Sequence, residues 1–365
     1  MTEFGHGLLI GKFYPPHRGH HAAIRAAAAR CRRLTVLVMA GAVESIALSE
    51  RLSWLHAEHV DDAGVRVLGV RCDAPLDVND PRVWTAQVEI MRAALRTAGE
   101  SMALDAVFGG ENYIGELARR LGAVPVQVAR SPLNASAIRC DLAAGWDDLA
   151  APTRAGLTTR VVVVGAESTG TTTVAGELAE HYRARGGCWS RTACVGEYGR
   201  DYTRLKWDRH PQLAIDELEW DTDDFDVIAV EQSCREEDAA RTGSPVLICD
   251  TDAVATAVWE RRYLGATARE GQPWTRVGPR AVYLVTDHHG VPWHDDGLRE
   301  GDLAVRAAMT GWFLDTLTAA GHSWVLLTGN QAQRLDIAVR TVDPLLNHRA
   351  QFGAPLRGPG FEATI

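Results

Sequence analysis

Two short segments, each of which begins with a run of apolar residues, constrain the fold of this chain more than any other feature. The first is Gly-Leu-Leu-Ile-Gly-Lys-Phe-Tyr-Pro-Pro-His-Arg-Gly-His, residues 7–20, and the second is Val-Val-Val-Val-Gly-Ala-Glu-Ser-Thr-Gly-Thr-Thr, residues 161–172. Both patterns are typical of a buried strand that passes through a glycine turn into a helix, whose first backbone N–H groups bind anions. The sequence therefore predicts two domains that each handle a nucleotide.

Strand-like and helix-like segments alternate after both turns, which predicts two α/β domains with parallel sheets. Pro152 and Gly156 lie between the two alternating regions, and the chain beyond Pro344 is rich in Gly and Pro. We therefore expect a Rossmann-like domain over residues 1–155, a P-loop domain over residues 156–345 and a coil tail over residues 346–365.

The composition restricts the class of partner. The chain has 365 residues and a net charge of −9, whereas a general nucleic-acid surface requires a basic face. No apolar run approaches the length needed to span a membrane, and the N-terminus lacks the basic and apolar regions of an export signal. Seven dispersed cysteines contain no Cys-x-x-Cys pair, as expected for reduced thiols. We expect a cytoplasmic protein that binds small anionic molecules, without nucleic acid or membrane.

The first turn carries residues suited to phosphate chemistry. His17 and His20 lie on one side of the first helical turn, where both can donate to phosphate oxygens. Gly19 allows close approach of the backbone, and Lys12 adds a positive charge at the end of the strand. An attacking phosphate is already an anion and needs no general base, so donors that neutralise charge do most of the catalysis. His-x-Gly-His alone is a weak pattern; the preceding Gly-Lys-Phe-Tyr-Pro-Pro favours function over a surface turn.

These residues resemble the nucleotidyltransferase superfamily that has the His-x-Gly-His motif. The superfamily also has an Ile-Ser-x-Thr-x-Ile-Arg element at the start of a later helix, and this chain has Leu-Asn-Ala-Ser-Ala-Ile-Arg over residues 133–139, with Asn134 in place of the serine. The resemblance implies that Ser136 touches phosphate and that Arg139 holds the triphosphate. The other nucleotide-binding candidates in this domain are Gly11, Phe13, Gly19 and Gly109.

Two further residues of this domain each leave two interpretations open. Trp84 follows Asn-Asp-Pro-Arg-Val and either stacks on a flat, positively charged ring such as nicotinamide or packs within its helix. Arg51, at the start of a helix, is either a phosphate ligand or a structural residue.

The second turn fits the phosphate-loop pattern Gly-x4-Gly-Lys-Ser/Thr except at the lysine, which is Thr171. The missing ammonium normally bridges the β- and γ-phosphates, while the hydroxyl of Thr172 would bind Mg²⁺. Either this domain is a weak or regulatory nucleotide sensor, or another cation, Lys206 or an arginine, fills the gap. The nucleotide-binding candidates are Gly165, Glu167, Ser168, Thr169, Gly170, Thr171, Thr172 and Thr173.

Three later segments accompany this turn. Val-Leu-Ile-Cys-Asp-Thr-Asp over 246–252 is an apolar strand ending in carboxylates, Glu-Tyr-Gly-Arg over 197–200 follows another strand, and Asp-Asp-Gly-Leu-Arg over 295–299 has the composition of a polar lid. In this order they indicate a nucleoside-kinase core. The whole chain from about residue 7 to residue 327 resembles the NadR-type bifunctional proteins, which join nicotinamide mononucleotide (NMN) adenylyltransferase to ribosylnicotinamide kinase.

The resemblance implies two consecutive reactions. The second domain would phosphorylate nicotinamide riboside (NR) with ATP and Mg²⁺, and the first would join the resulting NMN to AMP from ATP, giving NAD and pyrophosphate. Some family members carry a DNA-binding helix-turn-helix before the first domain; this chain starts almost at the first catalytic strand, so we expect no repressor role.

The same resemblance assigns residues of the second domain. Asp250 would lie near Mg²⁺, and Arg299 would close over the transferring phosphate. Either Asp252 or Glu197 would orient the ribose or accept the hydroxyl proton. The remaining candidates are Arg200 and, for contact with the nicotinamide ring, Tyr198 or Trp293.

Two alternative functions remain open at this point. One is a nucleotidyltransferase for another phosphorylated substrate, such as phosphopantetheine or a polyol phosphate, although those enzymes lack a fused kinase-like domain. The other is a NAD-responsive regulator with degenerate sites, which the replacement at Thr171 favours and the complete first turn opposes. No sequence pattern specifies a homo-oligomer, the choice between ATP and GTP, the choice between amide and acid substrates, or transfer of product between the sites.

Overall fold

In a computed structural model, which describes residues 3–74, 77–265, 279–293 and 303–355, the chain forms two compact units. The first comprises residues 1–156 together with 350–365, and the second comprises residues 157–349. Each contains a five-stranded parallel sheet with helices against it. The predicted fold class, a Rossmann-like α/β domain followed by a P-loop α/β domain, is confirmed.

The sheet of the first unit has the strand order β3-β2-β1-β4-β5, and all of its pairings are parallel. Its strands are β1 (Phe4–Gly11), β2 (Cys31–Ala40), β3 (Val65–Arg71), β4 (Ala106–Gly109) and β5 (Val124–Gln127). Its helices are α1 (Arg18–Ala28), α2 (Leu48–Glu58), α3 (Pro81–Thr97), α4 (Ile114–Leu121), α5 (Ala135–Cys140) and α6 (Ala151–Leu157). Because the strand order reverses between β1 and β4, the carboxyl ends of these two strands open the crevice in which such sheets bind ligands.

Apolar side chains cover both faces of this sheet. One core joins Leu9 and Val36 to the α1 residues Ile24 and Ala27, and the other joins Leu8 to α3. The buried residues of α3 recur every three or four positions, as on one face of a helix: Trp84, Val88, Met91 and Leu95. The two cores hold β1 rigidly at the centre of the unit.

The sheet of the second unit has the order β10-β9-β6-β8-β7, again with parallel pairings. Its strands are β6 (Thr159–Gly165), β7 (Ala193–Val195), β8 (Val246–Asp250), β9 (Val282–Thr286) and β10 (Trp324–Leu327). Its helices are α7 (Thr171–Arg183), α8 (Tyr198–Asp208), α9 (Thr222–Thr242), α10 (Ala253–Leu264), α11 (Leu303–Ala319) and α12 (Gln331–Arg349). The residues that follow β6, β8 and β7 therefore meet at one edge of the sheet.

The end of the second unit differs from the expected boundary at residue 345. Helix α12 continues through Pro344 to Arg349, although proline removes one helical hydrogen bond. The apolar residues Ala338, Val342 and Leu346 are buried in the core of this unit, and this packing keeps the last turns helical.

The described part of the predicted coil tail, residues 350–355, belongs to the first unit. The Tyr14 hydroxyl donates to the Gly353 carbonyl at 2.9 Å, and the Gly353 amide donates to Ser45 Oγ at 3.1 Å. These residues therefore brace the turn that follows β1. Among the described residues, no helix is both long and apolar enough to cross a membrane.

Candidate functional site

The His-x-Gly-His turn forms the start of α1, immediately after β1. His17 is the N-cap residue, and its Nδ1 accepts hydrogen bonds from the Gly19 and His20 amides at 3.1 and 3.4 Å. In return, His20 Nδ1 accepts a hydrogen bond from the His17 amide at 3.3 Å. The two rings stack with centroids 3.7 Å apart. The turn therefore holds both imidazoles as a rigid pair.

The hydrogen bonds of this pair determine which ring nitrogen carries the proton. An Nδ1 atom that accepts from a backbone amide has no proton of its own, so each neutral ring carries its proton on Nε2. Burial lowers the pKa of His17 to about 4 and, together with the charge of His17, lowers the pKa of His20 well below its usual value. At neutral pH both residues are therefore uncharged donors with a fixed orientation.

Gly19 allows the backbone of this turn to pack closely against Ser131. A Cβ placed on Gly19 would lie 2.5 Å from Ser131 Oγ, closer than van der Waals contact permits. The ring of Phe13, in the left-handed region with φ of 48°, packs edge-on against His20 with centroids 5.0 Å apart. Both contacts fix the position of the histidine pair at the carboxyl end of β1.

The predicted Leu133–Arg139 element folds back onto this turn. Arg139 donates to the Tyr14 carbonyl at 2.5 Å and to Ser136 Oγ at 2.9 Å, and its guanidinium lies 4.9 Å from the Tyr14 ring centroid. Asn134, which replaces the family's serine, caps α5 by accepting from the Ser136 amide at 2.7 Å. The structure thus brings Ser136 and Arg139 close to a turn that precedes them by more than 110 residues.

Lys12 belongs to a cluster of three charged side chains. Its ammonium contacts Glu44 Oε1 at 2.5 Å, and Arg51 contacts Glu44 Oε2 at 2.6 Å. Although burial opposes the effect, hydrogen bonds from Lys12 and Arg51 lower the pKa of Glu44. Two cations and one carboxylate leave this cluster with a net positive charge beside the turn.

Arg51 is a buried residue whose contacts lie within the protein. Its side chain is fully buried, and its guanidinium also donates to the carbonyls of Lys12 and Ile46. These bonds hold the loop between β2 and α2 against the end of β1. Of the two interpretations left open, the structural one is correct.

The structure favours the packing interpretation for Trp84 as well. Its side chain lies in the core beneath the sheet with 7% of the residue exposed, and its indole N–H donates to the Val78 carbonyl at 2.9 Å. Gly109 ends β4, directly beside β1. The sequence therefore placed Gly109 at the expected crevice, whereas Trp84 is occupied by packing in this structure.

The phosphate loop connects β6 to α7 through two residues in the left-handed region, Ser168 with φ of 56° and Gly170 with φ of 87°. A Cβ on Gly165 would lie 2.1 Å from Thr286 Oγ1 and 2.7 Å from Thr169 Oγ1. Only glycine fits at the start of this loop, because the two threonine hydroxyls, 2.6 Å apart, close behind it. Thr171, in the place of the lysine, begins α7.

Thr172 and Asp250 meet at the carboxyl ends of β6 and β8. The Thr172 hydroxyl donates to Asp250 Oδ2 at 2.6 Å, and Asp250 is buried with 4% exposed. A hydroxyl and a carboxylate oxygen in contact are the donors that Mg²⁺ takes in phosphate-loop proteins. The two residues predicted to bind the metal therefore lie together.

Asp252, two residues later, has a structural role. Its Oδ1 accepts from the amides of Val254 and Ala255 and so caps α10, while its Oδ2 accepts from the Tyr283 hydroxyl at 2.7 Å and from Arg280. The intervening Thr251 has φ of 81°, and this left-handed residue turns the chain away from the line of β8. Asp252 has no exposed surface, and its contacts favour a structural role over the predicted site role.

A pocket lies beside the carboxyl ends of β7 and β8, and it contains two predicted site residues. Glu197 and Arg200 both line it, and they form an ion pair of 3.0 Å with each other. Aromatic side chains form much of the remaining wall. Those that line the pocket are Trp220, Phe225, Trp259 and Tyr263.

The aromatic wall is a connected cluster that the sequence analysis did not identify. The ring of Trp220 lies 5.1 Å from that of Tyr263 and 5.6 Å from that of Phe225. These residues come from separate segments and have no shared motif, and only the packing of α9 against α10 brings them together. Flat aromatic faces of this kind bind cationic rings.

Lys206 contacts the wall of this pocket. Its ammonium pairs with Asp224 and lies 5.0 Å from the centroid of Trp220. Tyr198 is also directed elsewhere, since its ring stacks with the guanidinium of Arg235 at 4.3 Å. These contacts do not support the hypothesis that Lys206 replaces the phosphate-loop lysine, and neither Tyr198 nor Trp293 is among the residues lining the pocket. Arg299 lies outside the described residues.

Two buried arginines hold the phosphate loop and were missed by the sequence analysis. Arg306, on α11, donates to the Ser168 carbonyl at 2.9 Å, and Arg334, on α12, donates to the Thr169 carbonyl at 2.8 Å. They follow the loop by 138 and 165 residues, so no local spacing could have connected them with it.

Comparison with known proteins finds a family model that matches the second unit and a relative that matches most of the chain. A family model described as an AAA domain matches residues 160–334. The trifunctional NAD biosynthesis/regulator protein NadR of Salmonella typhimurium is 25% identical over 318 residues, which cover 80% of this chain and 71% of that protein.

Two solved structures share the fold of the whole chain. A crystal structure of NadR protein in complex with NR has a TM-score of 0.63 and 19% identity, covering 98% of this chain and 99% of the other. A crystal structure of NadR protein in complex with NAD and AMP-PNP has a TM-score of 0.62 and 19% identity, covering 95% and 98%. The resemblance of this chain to the NadR-type proteins, predicted from its motifs, is therefore confirmed over both of its units.

Proposed function

We propose that this chain is a cytoplasmic enzyme of NAD biosynthesis with two activities. The first unit transfers the adenylyl group of ATP to NMN, giving NAD and pyrophosphate, and the second unit phosphorylates NR with ATP. The relative named above is a NAD biosynthesis/regulator protein, and the similar structures contain NR, or NAD with AMP-PNP. The small molecules NMN, NR, ATP and NAD are then the partners of the chain.

The observation that carries the first activity is the stacked, neutral pair of His17 and His20 at the end of β1. A phosphate oxygen of NMN attacks the α-phosphorus of ATP, a new P–O bond forms, and pyrophosphate leaves with the electrons of the broken bond. Nε2–H groups of fixed orientation donate to the phosphate oxygens on which negative charge accumulates. Arg139 and the Lys12 cluster add positive charge beside them.

The second activity needs a pocket for a ribosylated, positively charged ring next to a phosphate loop. The aromatic wall at Trp220 and Tyr263 offers flat faces to such a ring. Glu197 lines the same pocket, and because Asp252 is fully engaged elsewhere, Glu197 is our choice for the carboxylate that accepts the proton of the 5′-hydroxyl. That hydroxyl oxygen bonds to the γ-phosphorus of ATP, and ADP leaves.

Thr172 and Asp250 are the residues that would hold Mg²⁺ in the second unit, since their oxygens already lie in contact at 2.6 Å. When bound, the ion would neutralise charge on the β- and γ-phosphates. The chain's own contribution is to orient these two oxygens at the adjacent ends of β6 and β8.

One assay separates this proposal from the alternatives. The purified protein is incubated with ATP and Mg²⁺ and either NMN or NR, and NMN and NAD are quantified separately. NAD from NMN and NMN from NR are the expected products. NAD from NMN without any phosphorylation of NR would leave the second unit as a nucleotide sensor, and no NAD from NMN would favour another phosphorylated acceptor for the first unit.

A further inference from the structure

The phosphate loop lacks its lysine, yet two buried guanidinium groups contact its backbone. Arg306 and Arg334 are 5% and 2% exposed. Their targets, the carbonyls of Ser168 and Thr169, belong to consecutive peptide units of the loop. The N–H groups of the same two peptide units are those of Thr169 and Gly170.

These contacts alter the donors that a phosphate would meet. A cation that donates to a carbonyl oxygen polarises the whole peptide unit, and the N–H group at its other end becomes a stronger donor. In phosphate loops, backbone N–H groups of this segment cradle the phosphates. Within the described part of the chain, the amides of Thr169 and Gly170 donate no hydrogen bond to protein atoms, so both are available to an anion.

The remaining contacts of the two arginines hold them in place without cancelling their charge. Arg306 also donates to the Val291 carbonyl at 3.0 Å, and Arg334 donates to the carbonyls of Gly329 and Asp287, each at 2.8 Å. All five hydrogen-bond acceptors are backbone carbonyls, and none of the described carboxylates forms an ion pair with either arginine.

The electrostatics of the site agree with this geometry. Burial and, after it, the charge of Arg334 lower the pKa of Arg306. Burial also lowers the pKa of Arg334, with Asp287 acting in the opposite direction. Two buried like charges that destabilise each other are stabilised when an anion is placed nearby.

We propose that Arg306 and Arg334 replace the phosphate-loop lysine from behind the loop, by holding and polarising the Ser168 and Thr169 peptide units that bind the β- and γ-phosphates of ATP. The inference rests on the proposed function of the second unit. Both are positioning residues, since they act through the loop backbone and not by touching the substrate. The second unit can then be an active kinase despite Thr171.

The test compares how strongly the second site binds a phosphate chain and a nucleoside. In the NR phosphorylation assay, with NMN and NAD summed as product, tripolyphosphate and adenosine serve as competitors of ATP. The variants are Arg306→Gln, which keeps a donor without the charge, Arg306→Lys, which keeps the charge, and Arg334→Gln. The matched control is Arg340→Gln, also on α12, where the side chain is exposed and pairs with Asp336.

We expect both buried-arginine glutamine variants to raise the inhibition constant of tripolyphosphate and the KM for ATP about tenfold, equivalent to about 1.4 kcal/mol. Inhibition by adenosine should be unchanged, Arg306→Lys should recover most of the loss, and Arg340→Gln should behave as the unaltered protein. Thermal unfolding of each variant, compared with the unaltered protein, checks that the second unit is folded.

Two results for Arg306→Gln and Arg334→Gln would overturn the inference. An unchanged inhibition constant for tripolyphosphate would make the arginines irrelevant, and an equal weakening of inhibition by adenosine and by tripolyphosphate would make them merely structural. The inference would also be overturned if tripolyphosphate inhibited Arg306→Lys as weakly as it inhibits Arg306→Gln. If the unaltered protein does not phosphorylate NR, the proposed function of the second unit fails. In that case calorimetric titration of Arg306→Gln and the unaltered protein with tripolyphosphate still decides the inference by the same expected tenfold difference.

Discussion

The two units carry their candidate phosphate sites at corresponding places, the end of a central strand, but with different chemistry. In the first, two neutral imidazoles of fixed orientation lie at the end of β1, and the charged groups Lys12 and Arg139 belong to neighbouring clusters. In the second, the cations Arg306 and Arg334 stand behind the backbone. If both sites bind phosphate as proposed, donors and charges need not reside on the same side chain for an anion site to form.

Among variants that test the difference between the two units, we expect the largest effect for His20→Ala. Formation of NAD from NMN should fall about 10²- to 10³-fold, as when one preorganised donor of an oxyanion is removed. The steady-state rate with saturating ATP and NMN measures it. Phosphorylation of NR should persist, since His20 belongs to the first unit.

The matched control is His56→Ala, which removes an exposed histidine of α2. It should leave NAD formation unchanged. A His20→Ala variant as active as this control would show that the stacked pair has no part in catalysis.

Thr172→Val tests the second site. Loss of the hydroxyl that contacts Asp250 should lower NMN formation from NR at least about tenfold, with a raised Mg²⁺ requirement. The rate is measured as Mg²⁺ is varied. Thr242→Val, at an exposed threonine of α9, is the control, and equal rates in the two variants would contradict the assignment.

The sequence predicts the parts of each site whose residues are close together along the chain or follow a general rule of the fold, and it misses other parts whose residues are far apart. The His17–His20 pair and the glycines of both turns follow from local spacing, and Thr172 with Asp250 follows from the rule that parallel strands end at one edge. The burial of Asp252 could not be predicted, because the left-handed Thr251 before it redirects the chain, which no propensity reveals. The arginines behind the loop lie on helices far from it in sequence, and the residues of the aromatic wall share no motif, so only the fold identifies both.

The pH dependence of stability should report on the histidine pair of the first unit. The pKa of His17 is about 4 in the folded chain, below the value of 6.5 for an exposed histidine, so the unfolded chain binds more protons between these values. The free energy of unfolding therefore does not depend on pH through this group above pH 6.5. It decreases as the pH falls toward 4, by at most about 1.4 kcal/mol per pH unit for this group.

Denaturant unfolding at pH 7 and pH 5 measures this effect. The transition of the first unit should weaken at the lower pH, and His17→Gln should reduce the dependence. A dependence that is identical in His17→Gln would rule out His17 as its source.

The smallest expected effect concerns residues 350–355. Ser45→Ala removes the Oγ that accepts from the Gly353 amide and bonds the Tyr14 hydroxyl at 2.8 Å, which should destabilise the first unit by about 1 kcal/mol. Ser53→Ala, at an exposed position of α2, is the control in thermal unfolding. Identical melting temperatures would mean that this contact does not brace the turn.

The most direct test of two consecutive activities in one chain is a time course with NR, ATP and Mg²⁺ as the sole substrates. The unaltered protein should form NMN first and then NAD, and His20→Ala should accumulate NMN and convert it to NAD far more slowly. Formation of neither product by the unaltered protein, or of NAD at the same rate by His20→Ala, would contradict the account.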